Sequence, residues 1–377
     1  MPTRTQSSTQ TVLVTGATGF VGAHVTRALV ERGDNVRAGY RNPKRLDRLG
    51  ELDVEPVEGE VLDLDAMRSA MRGCDVVFHV AGMVGSKPVG KVWEMNQRGP
   101  LVAVEAAAME DVERVVVTST ISAVGTADGR PADEENPYPE EGLGLVYADA
   151  KRAGEREAIA AGERLGVEVV VVNPAYVLGI PVDVSQPGET STRIVGNYLR
   201  GRLPAVLNAS INFVDVEDVA NGHLLAAERG LPGERYILGG HNRPWAELID
   251  MVARASGIHH PLLVIPSEVG RIADLRERLG LPGAISAEAF GLMGQDWRFT
   301  SAKAKRELGY RPRPLAQTIT ATVEWYLDLI RDGAFDDSQR SAMSAFAEGL
   351  AAVERVGLLW PLRPAEKLLR RRLIAGR

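Results

Sequence analysis

The sequence predicts an α/β fold: a doubly wound parallel sheet with helices on both faces, followed by a smaller, mostly helical lobe. Three observations predict it. Short β-branched runs alternate with longer helical patterns over residues 11–180, the rhythm of right-handed βαβ units. The runs at 115–117 and 169–172 are pure valine, as suits central strands buried on both faces. After Pro174, glycine and proline crowd the stretch 179–204, and helical patterns then dominate.

The first strand is expected at 11–15, and a helix at 20–32 that Gly33 stops. Strands at 35–40 and 53–57 precede a helix at 63–71, with Gly73 past its end. A strand at 75–80, a long helix at 91–109 and a strand at 114–118 follow. A helix at 145–165 then leads into a sixth strand at 167–172. Beyond them, helical patterns occupy 216–229, 244–256, 267–279 (stopped by Gly280) and 315–331. These divide the chain into an 11–180 sheet domain, to which some later segments return, a 181–333 lobe and a 334–377 helical extension.

Composition narrows the function classes. Of 377 residues 45% are hydrophobic and 25% charged, which gives enough apolar material for a sizeable core. Forty-four bases against 50 acids leave a net charge of −6, which argues against a nucleic-acid binder. A single cysteine, Cys74, excludes an internal disulfide and a cysteine-based zinc site, and no metal site is expected. The polar start at 1–10 carries no secretory signal, and no apolar run reaches the length of a membrane span. A cytoplasmic location is expected.

The first strand runs into Gly16, Thr18, Gly19, Phe20, Val21 and Gly22, a G-x-x-G-x-x-G turn that opens directly into a helix. Gly16 makes the tight turn, Gly19 lets the backbone approach a pyrophosphate, and Gly22 lets the helix pack close to the sheet. The helix N-terminus offers free N–H groups to the anion. This is the dinucleotide loop of a Rossmann domain. The second strand ends Gly39-Tyr40-Arg41-Asn42, with no acid for a ribose 2′-hydroxyl. Arg41 there suits a 2′-phosphate, so NADP(H) is favoured over NAD(H); its alternative is a solvated loop arginine. Glu60 and Val61 fall where adenine is contacted. Val80, Ala81 and Gly82 are small enough for a cofactor to cross the sheet edge, and His79 reads as an interior histidine.

Tyr147 and Lys151 share one helix face at i, i+4. An ammonium beside a phenol favours the phenolate, so Lys151 is expected to lower the Tyr147 pKa. Such a phenol exchanges a proton with a carbonyl oxygen or an alcohol. The pair lies after Thr118-Ser119-Thr120, at the strand end where open α/β sheets bind ligands.

On these motifs, with Asn96, Asn173-Pro174, Val177 and the run 213–218, the chain resembles the extended short-chain dehydrogenases/reductases of the NAD-dependent epimerase/dehydratase superfamily over about residues 11–330. The resemblance implies Tyr147 as acid/base and Lys151 as holder of the nicotinamide ribose. It also implies Thr120 as the catalytic hydroxyl, with Ser119 as its alternative, and Asn96, Thr118, Pro174 and Val177 against the cofactor. Glu60 departs from the family's usual aspartate.

No carboxylate follows Thr120, which disfavours a dehydratase, and the arginines expected to grip a sugar-nucleotide diphosphate are missing near 209–212 and 284–295. Arg193, Arg200 and Arg202 are the remaining candidates for that grip. The expected substrate wall is apolar: Met83, Val84, Ala123, Val124, Leu143, Leu145, Tyr176, Leu178 and Ile180. The branch resembled is that of dihydroflavonol 4-reductase and 3β-hydroxysteroid dehydrogenase. The expected reaction moves a hydride between nicotinamide and a ketone, aldehyde or secondary alcohol. A sugar or nucleotide-sugar epimerase with bound NAD is the rival, and a non-catalytic dinucleotide-binding protein the third reading. Small residues on helices 93–109 and 146–162 suggest a homodimer. Past Pro361, six bases (Arg363, Lys367, Arg370, Arg371, Arg372, Arg377) stand against Glu366 beside an apolar stripe. That pattern fits either an amphipathic helix on the protein's own body or weak membrane-surface contact.

Overall fold

The computed structural model of the chain describes residues 9–185, 187, 191–266, 295–335, 349, 366 and 372–376. The six expected strands form, each end within two residues of its predicted place: β1 (Thr11–Thr15), β2 (Asn35–Tyr40), β3 (Glu55–Glu58), β4 (Val76–His79), β5 (Arg114–Thr118) and β6 (Glu168–Pro174). Seven more follow: β7 (Tyr176–Leu178), β8 (Ala205–Leu207), β9 (Ser210–Asp215), β10 (Arg235–Leu238), β11 (His241–Pro244), β12 (Leu262–Ile265) and β13 (Ile374–Ala375). The main sheet is parallel throughout, in the order β3-β2-β1-β4-β5-β6-β10. The order reverses between β1 and β4, which opens a crevice at the carboxyl ends of the strands.

The strand period of two divides the valines between two cores. Val12, Val14, Val116, Val170 and Val172 face one side. Leu13, Val77, Val115, Val117, Val169 and Val171 face the other. Each such side chain, fully removed from water, contributes about 1.5–3 kcal/mol.

The helices are α1 (Phe20–Arg32), α2 (Leu64–Met71), α3 (Val89–Trp93), α4 (Gly99–Met109), α5 (Val146–Leu165), α6 (Arg193–Leu199), α7 (Val216–Arg229), α8 (Trp245–Ser256), α9 (Ala302–Glu307) and α10 (Leu315–Arg331). Helices α1 and α7 cover the first face of the sheet, α2, α4 and α5 the second. Most alanines of α4 and α5 are spent inside the chain: Ala103, Ala106, Ala107, Ala148, Ala150, Ala158 and Ala161 are buried, while Ala108, Ala153 and Ala160 keep some exposure.

Two expectations are corrected. The helix expected at 91–109 is not continuous: a π turn, Glu94–Arg98, separates α3 from α4. The Asn96 amide donates to the Val92 carbonyl at 3.0 Å, competing with the backbone ladder, and Pro100 has no N–H to continue it. The lobe is mostly helical, as expected, and its strands join β7 and β13 in two three-stranded sheets, β11-β9-β7 and β13-β12-β8. The extension is not helical throughout, because residues 374–375 add a strand to β12. The helix expected at 267–279 and most of the apolar and basic tail lie outside the described residues.

The run 213–218 carries β9 into α7. Asp215 caps α7 by accepting from the Glu217 N–H at 2.8 Å and also accepts from the Thr318 hydroxyl at 2.7 Å. Arg313 lies 2.8 Å from Glu217 and 3.0 Å from Asp218.

Candidate active site

A cleft of about 910 Å³ lies along the carboxyl ends of the strands. The glycine loop forms one side of it. Gly16 has φ +66°, and a Cβ there would meet the Ala81 Cα at 2.8 Å. A Cβ on Gly22 would stand 2.1 Å from the Gly16 carbonyl oxygen, so helix α1 can start this close only without a side chain. No side chain caps α1, so its first N–H groups remain available to an anion at the cleft, where Thr18, Gly19, Phe20 and Val21 also lie.

Arg41, Glu60 and Val61 line the β2–β3 end, with Arg41 3.6 Å from Glu60. Sequence reasoning missed Arg45 and Arg48, which line the same end from a 3₁₀ turn, Pro43–Leu49. Residues three apart eclipse in such a turn, so both arginines join Arg41. The i, i+3 spacing directly after Arg41 was the available signal.

Val80, Ala81 and Gly82 line the end of β4. His79 is fully buried, its Nδ1 3.1 Å from the Thr15 hydroxyl, and burial drives its pKa down to about 3. It is an interior histidine, as expected. Asn96 does not reach the cleft. It is fully buried, bonded to the Met83 carbonyl at 2.8 Å and the Met83 N–H at 3.1 Å, and so shapes the loop after Gly82 from behind.

The candidate catalytic residues lie just past β5 and on α5. Thr120 Oγ1 accepts from the Ser122 Oγ at 3.1 Å and the Ser122 N–H at 3.3 Å. Thr120 is also the hydrogen-bond partner of the Tyr147 hydroxyl. Thr120, not Ser119, is thus the hydroxyl on Tyr147; the Ser119 Oγ is buried at the cleft with no partner among the described residues. Lys151 donates to the Thr118 carbonyl at 3.0 Å. Thr118 lines the cleft, yet its hydroxyl turns away to His223 Nε2 at 2.8 Å.

The electrostatics correct one expectation. Burial, offset only in part by the Thr120 hydrogen bond, pushes the Tyr147 phenol up to about 12. The net shift is upward, where a lowering by Lys151 was expected. Burial brings the Lys151 ammonium down to about 8, against the opposing pull of Glu155.

Pro174 and Val177 line the opposite wall, where Tyr176, Ile211, Trp245 and Trp297 close the apolar end. Tyr176 and Trp245 meet edge to face at 5.0 Å. Of the expected apolar wall only Val84 and Tyr176 are present. Ala123, Val124, Leu145 and Leu178 are core, and Met83, Leu143 and Ile180 pack against core. The two tryptophans come from segments that sequence spacing does not relate.

A model of the NAD dependent epimerase/dehydratase family matches residues 12–239. A protein of Synechocystis sp. assigned as a dihydroflavonol 4-reductase is 34% identical over 325 residues, covering 83% of this chain and 93% of its own length. Sterol demethylase protein B of Methylococcus capsulatus is 30% identical over 325 residues, covering 84% of this chain and 98% of its own. A solved nucleoside-diphosphate-sugar epimerase from Pseudomonas aeruginosa is 26% identical with a TM-score of 0.72, covering 87% of this chain and all of that one.

Proposed function

The chain belongs to the NAD dependent epimerase/dehydratase family, and from that premise we propose that it reduces a moderately hydrophobic ketone or aldehyde, or oxidises the matching secondary alcohol, with NADP(H) preferred. It is an NAD(P)-dependent oxidoreductase of the extended short-chain type. The observation that carries the substrate reading is the contact of Thr120 with Tyr147, beside Lys151, on the floor of a cleft that starts at the glycine loop and ends in Tyr176, Trp245 and Trp297.

The cradle fits a dinucleotide: Gly16 and Gly22 leave no space for a side chain beside an uncapped helix N-terminus, and the Ser119 hydroxyl is orphaned at the cleft. Gly16 to Gly22 would hold the pyrophosphate, Arg41, Arg45 and Arg48 the 2′-phosphate, Glu60 and Val61 the adenine end, and Lys151 the nicotinamide ribose. When bound, the nicotinamide supplies or accepts the hydride. Tyr147, protonated at neutral pH, gives its proton to the carbonyl oxygen, and Thr120 orients that oxygen. The Lys151 ammonium stabilises the phenolate left behind.

Similarity to the Pseudomonas epimerase supports the rival reading, transient oxidation of a nucleotide sugar on bound NAD. Against it, the arginines among the described lining residues are Arg41, Arg45 and Arg48, all at the ribose end; Arg193 and Arg200 line a separate pocket of about 210 Å³. A panel of ketones, aldehydes and alcohols with NADPH or NADP⁺ tests the choice. Stoichiometric NADPH consumption by an apolar ketone supports the reductase, and turnover of a nucleotide sugar without net cofactor change supports the epimerase.

A homodimer through α4 and α5 rests on the few small residues still outward there, and light scattering at micromolar concentration tests it. Membrane-surface contact rests on the composition of the tail alone.

A further inference from the structure

Glu155 lies on α5, one turn beyond Lys151 and two beyond Tyr147, and is 1% exposed. A carboxylate that deep in a protein needs partners, and it draws them from β6, from β10 and from its own helix. Its Oε1 accepts from the Asn173 amide of β6 at 2.5 Å. Its Oε2 lies 3.0 Å from Arg235 Nε of β10, and 3.5 Å from Arg152 Nη1. The same Asn173 amide donates to the Thr120 carbonyl at 2.9 Å. Arg235 in turn donates to the Ala123 and Glu134 carbonyls, both at 3.2 Å. The short turn that carries the Thr120 hydroxyl is therefore held at residue 120 by Asn173, which hydrogen-bonds Glu155, and at residue 123 by Arg235, which is ion-paired with it.

We propose that Glu155 is a positioning residue of the reaction: it sets the charge around Lys151 and, through Asn173 and Arg235, fixes the turn that holds the Thr120 hydroxyl against Tyr147. The proposal rests on the roles assigned above to Thr120, Tyr147 and Lys151. The titratable groups facing Lys151 are Tyr147 and Glu155 on its own helix and His79 on β4, which burial keeps neutral. Gly82 beside it and the Thr118 carbonyl that it binds carry no charge. Glu155 is thus the carboxylate that opposes the cost of burying the Lys151 ammonium, and its removal acts on that lysine directly.

The test uses the full chain. It has seven lysines, so carbon-13 labelling at lysine Cε gives a sparse spectrum, in which Lys151 is assigned by its loss in Lys151→Arg. In Glu155→Gln the Lys151 midpoint is expected to fall by at least about half a pH unit. The alkaline limb of kcat/KM is expected to move with it, and kcat to fall about tenfold or more from loss of the Thr120 alignment. Glu155→Gln combined with Arg235→Met removes the more deeply buried of the two guanidinium groups that lose their carboxylate. This double variant is expected to recover the wild-type melting temperature and to keep the displaced midpoint. An unmoved Lys151 midpoint in folded Glu155→Gln overturns the proposal. So does a double variant whose midpoint and turnover return to wild type together with its melting temperature. The NMR titration needs no substrate. If Lys151 moves as stated while Tyr147→Phe stays active, the proposed reaction fails and the Glu155 coupling stands.

Discussion

With its phenol pushed up to about 12 by burial, Tyr147 keeps its proton at neutral pH, as the proposed donor to a carbonyl oxygen must. Tyr147→Phe is therefore expected to lower turnover by about 10²–10⁴, the usual worth of a positioned acid, with NADPH affinity nearly unchanged by fluorescence titration. Lys151 has the opposite perturbation: its ammonium is brought down to about 8 by burial. The form that stabilises a phenolate is the protonated one, present below that pKa and lost as pH rises through it. The pH profile of kcat/KM for carbonyl reduction should fall off on the alkaline side near pH 8, and a profile flat to pH 10 would remove Lys151 from the mechanism. Arg41, exposed at the mouth of the ribose end, is the third case. Arg41→Ala should weaken NADP(H) by about 1.5–3 kcal/mol, the worth of a charged hydrogen bond, and leave NAD(H) almost untouched. Equal losses for the two cofactors in parallel titrations would refute a 2′-phosphate contact.

Elements are held in place by close backbone contacts that side chains must not invade. Helix α5 carries Tyr147, Lys151 and Glu155, and it lies against the π turn through Gly154. A Cβ on Gly154 would fall 2.1 Å from the Asn96 carbonyl oxygen, with no flexible side chain to yield. Gly154→Ala should cost about 1–3 kcal/mol, as overpacking does, and should shift the register of Lys151 against Thr118. Calorimetry reads the first effect, and a fall in kcat larger than the stability loss explains reads the second. A variant as stable and active as wild type would show that α5 is not pinned there. The π turn itself serves this contact, because it turns the Asn96 carbonyl to Gly154 while its side chain binds the loop after Gly82.

At the scale of the whole molecule, the last described strand alters what the tail can do. Ile374 and Ala375 are buried against β12, and Arg372 lies 2.6 Å from Asp250 on α8. A truncation before the tail would strip the β12 edge and expose an unpaired strand, confounding any membrane assay with aggregation. Neutral substitution of Arg363, Lys367, Arg370 and Arg371 leaves β13 in place. If the tail contacts a membrane surface, the wild type should sediment with anionic liposomes and the substituted chain should not. Equal behaviour of the two rejects the contact. Among the described residues no helix is long and apolar enough to cross a membrane.

The sequence by itself determined the features that rest on local constraints. The valine runs announced central strands because a strand's period of two leaves no polar face on a sheet covered twice. The glycine loop announced itself because tight turns and close backbone approach exclude a Cβ wherever the rest of the chain goes. Tyr147 and Lys151 were legible because i, i+4 on a helix is a fixed geometry. The tertiary structure alone decided the rest. Only it brought Trp245 and Trp297 to one end of the cleft, tied Glu155 to Asn173 and Arg235, turned the Thr118 hydroxyl to His223, and withdrew Asn96 and most of the expected apolar wall into the core. These contacts join residues tens to more than a hundred positions apart, and no local pattern encodes them. The phenol and ammonium shifts belong to the same class, because desolvation depends on everything packed around a group and not on its neighbours in sequence.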